Sequence, residues 1–547
     1  MRSLTVSSLT KRLLLVGTVL FCAVGLYVQA QDSRDLRNGW EVHRELKIQA
    51  DAQAAVKDFF PSFLDFHDVV MFHPKIGYYA SGRVSFENDY QTFPIVLAPL
   101  FGQMVLEQIF FMWDGMRKAG TLNEKEQFTI AEFGAGDGAL AESILEYLEQ
   151  KAKSDARWRQ FANQVLYTCY DRSPALNNIQ RERNKRFGSH FAARVADATD
   201  LTATIAAGSI KGVFLSNELP DAFSVHKIIL SGSGVAEVAF VVPSLPGKTW
   251  ETVRSLLPPD AARKIDTDDA AVEKRFFAGK VDPKLYLTRT GWVALLEGLL
   301  TSKEYENTAN AMEFQEIYVP ASAIPELAAH LKRYAKTYAG VLAKNPRGLV
   351  TYINLGVENL IQGVGKVLSA GYVFTIDYGT TWDGIIAQDY SHLRTYGPAH
   401  QGRYQDQEDA APNVAGGDPQ IFNPYLGPTL NDMTTDVNFS LMVVEGEQVG
   451  LKSMYFGSQG ALQSGTSISL DPPPNRHEKF DSWSIDFQNP SVYKVLVQQK
   501  DGTDKAYRFP DKEPESLALD QSNLTSAERA RAAQIEKQLL GAAAAVR

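Results

Sequence analysis

Beyond residue 125 the chain alternates short apolar runs with stretches whose apolar residues recur at helical spacing. Phe128 to Phe133 is one such run, closed by Gly134-Ala135-Gly136-Asp137-Gly138. Leu140, Ile144, Leu145 and Leu148 then fall at the three- and four-residue intervals of one helix face, so the segment reads as strand, tight turn, helix. The unit recurs at Val165 to Tyr170 before a helix from about Ala175, at Val195-Ala196 before Asp197, and at Gly212 to Leu215 before Ser216-Asn217-Glu218. Strands separated by helices of this length predict an α/β fold, a mainly parallel Rossmann-like sheet with helices on both faces. From about Ser231 to Lys344 the pattern changes to a hairpin around Gly232-Ser233-Gly234 and then to helical stretches interrupted at Pro258-Pro259. A helix near Leu355 to Leu368 and the apolar strand Tyr372 to Ile376, ending at Asp377-Tyr378-Gly379, bring the sheet back.

The expected organisation is a cap region at 31–125, a first core part at 126–230, an α-rich insertion at 231–344, a second core part at 345–500 and a C-terminal appendage at 501–547. Residues 31–60 are polar and helix-prone, and 403–432, rich in Gly, Pro and Asn, read as a long loop of the kind that is functional or disordered. A capping box from Thr525 to Glu528 opens an Ala-rich helix at the surface. The first thirty residues carry no acid. Arg2, Lys11 and Arg12 precede an uncharged run from Leu13 to Tyr27, and Val28-Gln29-Ala30 resembles a small-residue cleavage site. That is the layout of a signal peptide, with a membrane anchor as the second reading and a mitochondrial presequence as the third. The protein is therefore expected to be exported or anchored by residues 1–30, with a mitochondrial destination as the alternative, and to meet a membrane only through that segment.

Composition narrows the partners. The 547 residues are 44% hydrophobic and 22% charged with two cysteines, which excludes a disordered chain, a collagen and a disulfide scaffold. With 64 acidic against 55 basic residues the net charge is -9, which argues against nucleic acid as a partner. Removal of the leader leaves Cys169 alone, so no internal disulfide is expected. Neither a Cys/His cluster nor an HExxH motif points to a metal.

The chemistry concentrates at the strand ends. Gly134, Gly136 and Gly138 let the backbone turn sharply and let a ligand approach the free N–H groups of the following helix. Two ligands suit such a turn: a dinucleotide, whose fingerprint Gly134-x-Gly136-x-x-Ala139 formally meets, and S-adenosylmethionine. The acids favour the second. Glu132 ends the first strand, Asp171 the second, where a carboxylate can accept both ribose hydroxyls, and Asp197-Ala198 follows the third, where adenine would lie. A cationic, phosphate-free cofactor suits these carboxylates, whereas a pyrophosphate is repelled by them. Asp137, inside the loop, joins the cofactor set. After the fourth strand Glu218 and Asp221 could face one pocket, with Asn217 beside them; they are the candidates for binding and orienting the methyl acceptor.

Several blocks carry a family resemblance. Met71-Phe72-His73-Pro74-Lys75-Ile76-Gly77-Tyr78-Tyr79 resembles the HP-x-x-GYY signature of the MidA-like methyltransferases, the family of the mitochondrial complex I assembly arginine methyltransferase. Asp89-Tyr90-Gln91-Thr92, Phe101-Gly102, Glu132 to Gly138, Tyr170 to Leu176, Asn217-Glu218 with Asp221-Ala222, Asp377-Tyr378-Gly379, Leu393-Arg394-Thr395-Tyr396 with His400, and Asp436 to Phe439 follow in family order over about residues 60 to 500. The resemblance implies a class I methyltransferase core, S-adenosyl-L-methionine as donor and a protein arginine as possible acceptor. It also suggests that Tyr78, Tyr79 and His73 close a lid over the cofactor; Arg394 and His400, near the long loop, are candidate substrate contacts. Departures such as Ala135, Leu219-Pro220 and Ser224 fall mainly on the acceptor side. A small-molecule methyltransferase, a noncatalytic assembly protein that keeps the fold, and an NAD-dependent oxidoreductase are the alternatives, the last opposed by the acidic strand ends.

Overall fold

The apolar runs become the strands of one sheet, and the strands of the insertion build another. The computed structural model describes residues 45–81, 84, 92–277, 284–387, 392–396, 423–488, 493–501 and 523–542. The leader at 1–30, Asp89-Tyr90-Gln91, His400 and positions 403–422 of the long loop lie outside the described residues. Among the described residues, no helix is long and apolar enough to cross a membrane.

Along the first core part, β1 (Phe128–Phe133), β2 (Val165–Asp171), β3 (Phe191–Val195) and β4 (Ile210–Asn217) pair in parallel, with β1 between β2 and β4 and β3 at the edge. β3 begins before the expected Val195-Ala196. Its side chains are half-buried or exposed, as an edge strand allows, so hydrophobicity marked only its end. In the insertion, β5 (His226–Leu230), β6 (Ala236–Pro246), β7 (Lys284–Tyr286), β8 (Glu313–Pro320) and β9 (Leu349–Ile353) form an antiparallel five-stranded sheet. The expected hairpin is its β5–β6 turn. Helices dominate the 231–344 stretch, but this sheet reaches past both of its ends by recruiting β5 and β9. Lys227 and Glu316 lie fully buried within it, with the Lys227 ammonium donating to Glu316 Oε1 at 2.9 Å.

The chain then returns through the helix Leu355–Val367 to β10 (Leu368–Thr380), parallel to β4. β11 (Leu393–Tyr396) pairs with β12 (Asp432–Thr435), and β13 (Val437–Asn438) adds to the end of β10. β14 (Lys452–Ser458) and β15 (Tyr493–Lys500) complete the main sheet, with β15 antiparallel to β10. The order is β14-β15-β10-β4-β1-β2-β3. This is the expected class I methyltransferase core: two parallel halves diverging from β1 and β4, with one antiparallel strand near the far edge. Ligand crevices form beyond the carboxyl ends of such strands, where the order reverses.

Close backbone approach pins the register. A Cβ on Gly212 would meet the Thr129 carbonyl oxygen at 2.2 Å, so β1 and β4 can pair this closely only with glycine there. At the other end of the chain, the helix Ser526–Ala542 opens with the expected capping box between Thr525 and Glu528. It is docked rather than free-standing: Ala532, Ile535 and Leu539, at helical spacing, are buried in the core cluster that includes Val341 and Leu342.

Candidate active site

A cavity of about 880 Å³ opens where β1, β2, β3 and β4 end. Its floor is aromatic. Phe133 stacks between Tyr170 (centroids 4.5 Å apart) and Phe214 (4.3 Å), and Phe133 and Tyr170 line the cavity. Backbone bonds continue past the strands and hold their tips level: Gly134 N–H donates to Tyr170 O at 3.0 Å, Ala196 N–H to Asp171 O at 3.0 Å, and Glu218 N–H to Ile376 O at 2.8 Å.

The glycine loop is shaped by its backbone. Gly134, Gly136 and Gly138 all adopt positive φ (71°, 52° and 82°), the left-handed region that glycine enters without penalty. Gly134 and Gly136 line the cavity, and a Cβ on Gly134 would come within 2.8 Å of Leu219 Cδ1. Gly138 faces the helix Pro174–Asn184 instead, where a Cβ would meet the Asn184 side chain at 2.8 Å. Asp137 is also turned away from the cavity lining. Its carboxylate accepts from Ala139 N–H at 3.1 Å and pairs with Arg183 at 2.6 Å, which fixes the start of the helix Ala139–Ser154.

Three residues that hold this loop escaped the sequence reading. Gln180 donates to Gly136 O at 2.9 Å, Asn184 to Gly138 O at 3.1 Å, and Arg183 pairs with Asp137. The signal was present: Asn177, Gln180 and Asn184 recur at helical spacing and form a buried polar stripe on that helix.

The acids divide by environment. Asp171 lines the cavity, and burial raises its pKa to about 7 against hydrogen bonds from Ser173 and Gln180. The helix that follows is capped by Ser173, not Asp171. Asp197 and Ala198 also line the cavity, but the Asp197 carboxylate is engaged by the Thr199 N–H and hydroxyl and by Arg172 Nε at 3.3 Å. Glu132 is not at the cavity wall. It is buried under the sheet end, receives the Tyr167 hydroxyl at 2.8 Å and the Cys169 thiol at 3.6 Å, and burial raises its pKa to about 7.

Glu218 lines the cavity at the end of β4 and is one of three described non-glycine residues with positive φ, at 49°. A left-handed residue of this kind is held there by its surroundings and is concentrated at functional sites. Asn217 donates to its carboxylate at 3.2 Å without itself reaching the cavity wall. Burial, then the charge of Asp221, raises the Glu218 pKa to about 8. Asp221, expected to face the same pocket, is instead buried off the cavity wall in the short turn Pro220–Ala222, and it rises to about 6, with burial opposed by Tyr378 and Arg394. Two acids that the sequence reading did not assign complete the group. Burial raises Asp377 well above the carboxylate range, aided by Asp221 and Glu218, and Asp432 to about 8. Arg394 is buried in ion pairing with Asp436, with its guanidinium 5.1 Å from the Tyr378 ring centroid.

The Met71–Tyr79 block folds back on the helix Phe63–Phe72: Gly77 N–H donates to His73 O at 2.8 Å, Tyr78 N–H to Val70 O at 2.8 Å and Tyr79 N–H to Met71 O at 2.9 Å. This splits the two tyrosines. Tyr79 lines the cavity, stacks on Phe72 and hydrogen-bonds Asp432, whereas Tyr78 is packed into the core. His73 stays off the cavity wall, with Nε2 3.8 Å from Glu297.

Residues 104–457, more than half of the chain, match a family model described as "Putative S-adenosyl-L-methionine-dependent methyltransferase". No curated protein matches the chain. Among solved structures, it is similar to a Burkholderia thailandensis protein bound to S-adenosyl-homocysteine, at 17% identity over 84% of this chain and 97% of that chain, with a TM-score of 0.47. A native structure of a same-superfamily protein from that organism gives 17% identity over 86% and 99%, with a TM-score of 0.46. A Streptomyces coelicolor geranyl diphosphate C-methyltransferase gives 8% identity over 72% and 77%, with a TM-score of 0.26.

Proposed function

Because the chain belongs to this MidA-like family of S-adenosyl-L-methionine-dependent methyltransferases, we propose that its acceptor is an arginine guanidinium of a protein. The residues at the cavity fit the cofactor. Gly134 and Gly136 leave no side chain between the β1 loop and a ligand, and Asp171 presents a carboxyl at the end of β2 without a cation paired to it among the described residues. Asp171 would accept the ribose hydroxyls, and the Asp197-Ala198 backbone would border adenine, since the Asp197 oxygens are already engaged. The cofactor brings a methyl group activated by sulfonium, so the protein has only to align the acceptor and leave its lone pair free.

The observation that carries the acceptor reading is Glu218: a carboxyl at the cavity wall, in a left-handed backbone, beside three more buried acids. A neutral acceptor gives such a group no reason to ionise. A guanidinium does, because its planar fork can pair with a carboxylate through two hydrogen bonds. Glu218 would orient the guanidinium and localise its charge on the nitrogens facing the carboxylate, leaving the remaining nitrogen directed at the methyl group. The leader-like first thirty residues support export, membrane anchoring or mitochondrial delivery as the destination.

The test is methyl transfer from labelled S-adenosyl-L-methionine to arginine-containing and lysine-containing peptides and to small-molecule acceptors, followed by mass spectrometry of cells with and without the protein. Methylarginine that disappears from one protein with the gene supports the proposal. Transfer confined to small molecules, or cofactor binding without transfer to any acceptor, overturns it.

A further inference from the structure

The cavity is wider than the cofactor side accounts for. Toward the antiparallel sheet it is lined by Phe223, Phe240, Ala323 and Ile324, and among these stands the imidazole of His226, the first residue of β5. His226 is 4% exposed, and its Nδ1 has no hydrogen-bond partner among the described residues. Nδ1 is closed off by the surrounding packing, so the ring nitrogen left to meet a ligand in the cavity is Nε2. Glu218 and His226 sit at the two ends of the connection from β4 to β5, and both line the same cavity.

The ring is neutral around pH 7. Burial pulls its pKa down to about 4, with Asp65 opposing and His330 reinforcing that shift. A neutral imidazole offers one donor and one acceptor nitrogen. A guanidinium carries five N–H donors, of which one carboxylate pairs with two, so the acceptor-side wall needs a further hydrogen-bond acceptor. A second ionised carboxylate would add another buried charge to a site already crowded with acids, whereas a neutral imidazole supplies the lone pair without one.

We propose that His226 is a second acceptor-binding residue, which takes one N–H of the guanidinium whose charge Glu218 pairs with. This rests on the arginine reading of the cavity, so the experiment separates the two. The probe is N-acetyl-L-arginine methylamide, titrated by calorimetry into the full chain saturated with S-adenosyl-homocysteine.

His226→Leu is expected to weaken probe binding about 10-fold, the size of one lost hydrogen bond, while S-adenosyl-homocysteine affinity and the melting temperature hold or rise. His226→Asn, which restores an acceptor atom, is expected to recover most of the loss, and it stands in should the leucine variant fail to fold. Unchanged probe binding in His226→Leu, or parallel loss of probe and S-adenosyl-homocysteine, overturns the inference. If Glu218→Gln abolishes probe binding while His226→Leu leaves it intact, only the role of His226 falls. If the wild-type protein does not bind the probe, the arginine reading falls and the His226 role with it.

Discussion

Glu218 donates its backbone N–H to the carbonyl of Ile376 at 2.8 Å, so the residue that leaves β4 is clamped to β10 in a left-handed conformation, φ 49°. A non-glycine residue in that region stores about 1–3 kcal/mol of strain, which glycine does not. Glu218→Gly is therefore expected to be more stable than Glu218→Ala by about 1 kcal/mol in denaturant unfolding, while both variants lose methyl transfer. Equal stability of the two would mean that the backbone there is not strained.

Asp171 is the carboxyl best placed for ribose. Asp171→Asn keeps the shape and the hydrogen bond from Ser173 but weakens acceptance of two hydroxyls. Loss of a charge-assisted hydrogen bond corresponds to about 1.5–3 kcal/mol, a roughly 10- to 150-fold weaker S-adenosyl-L-methionine affinity by calorimetry. Unaltered affinity would remove Asp171 from the cofactor site. Gln180→Leu, which frees the Gly136 carbonyl and removes a hydrogen bond from Asp171, is expected to weaken the same affinity by a smaller factor because it acts on the ligand only through these two groups.

Legibility in the sequence followed periodicity and polarity. β1, β2, β4 and β10 were readable because central parallel strands are continuous apolar runs, and the strand-loop-helix unit at Gly134 was readable because glycines stand at alternate positions. β3 was readable only at its end, since edge strands carry mixed side chains. The antiparallel sheet of the insertion was hidden because β5, β7 and β9 are three to five residues long and find partners far along the chain. At the site, Glu218 and Asp171 could be placed from their positions after strands. Asp432 and Asp377 could not be assigned, because only tertiary packing brings β12 and the end of β10 beside Asp221. The Tyr78-Tyr79 pair shows the limit of motif reading: adjacent residues point to opposite environments, and the motif alone does not say which one meets the cavity.

The Lys227–Glu316 pair is fully buried, and Glu316 also accepts hydroxyls from Tyr318 at 2.6 Å and from Tyr425. Removing one charge strands the other. Lys227→Met is expected to cost about 3–5 kcal/mol in unfolding free energy, whereas Lys227→Met with Glu316→Gln recovers much of it. A single variant as stable as the wild type would show that Glu316 is neutral in the fold.

The raised acids also set how stability depends on pH. Burial raises Glu218 to about 8 from its ordinary 4.5, and Asp432 to about 8 from 3.8. Because the folded protein holds these protons when the unfolded chain has released them, each group contributes stability that is fully present below about pH 4 and is lost as pH rises toward 8. His67 and His226, both lowered to about 4 by burial, act in the opposite sense between pH 4 and 6.5, so the raw melting curve mixes the two. The difference between wild type and Glu218→Gln isolates the acid. The variant is expected to gain on the wild type as pH goes from 5 to 8, in thermal melts without ligand. A guanidinium pairing with Glu218 would favour its ionised form, so probe binding should release protons, more at pH 7 than at pH 9. Calorimetry in buffers of different ionisation enthalpy measures that release, and proton uptake at pH 7 would contradict the pairing.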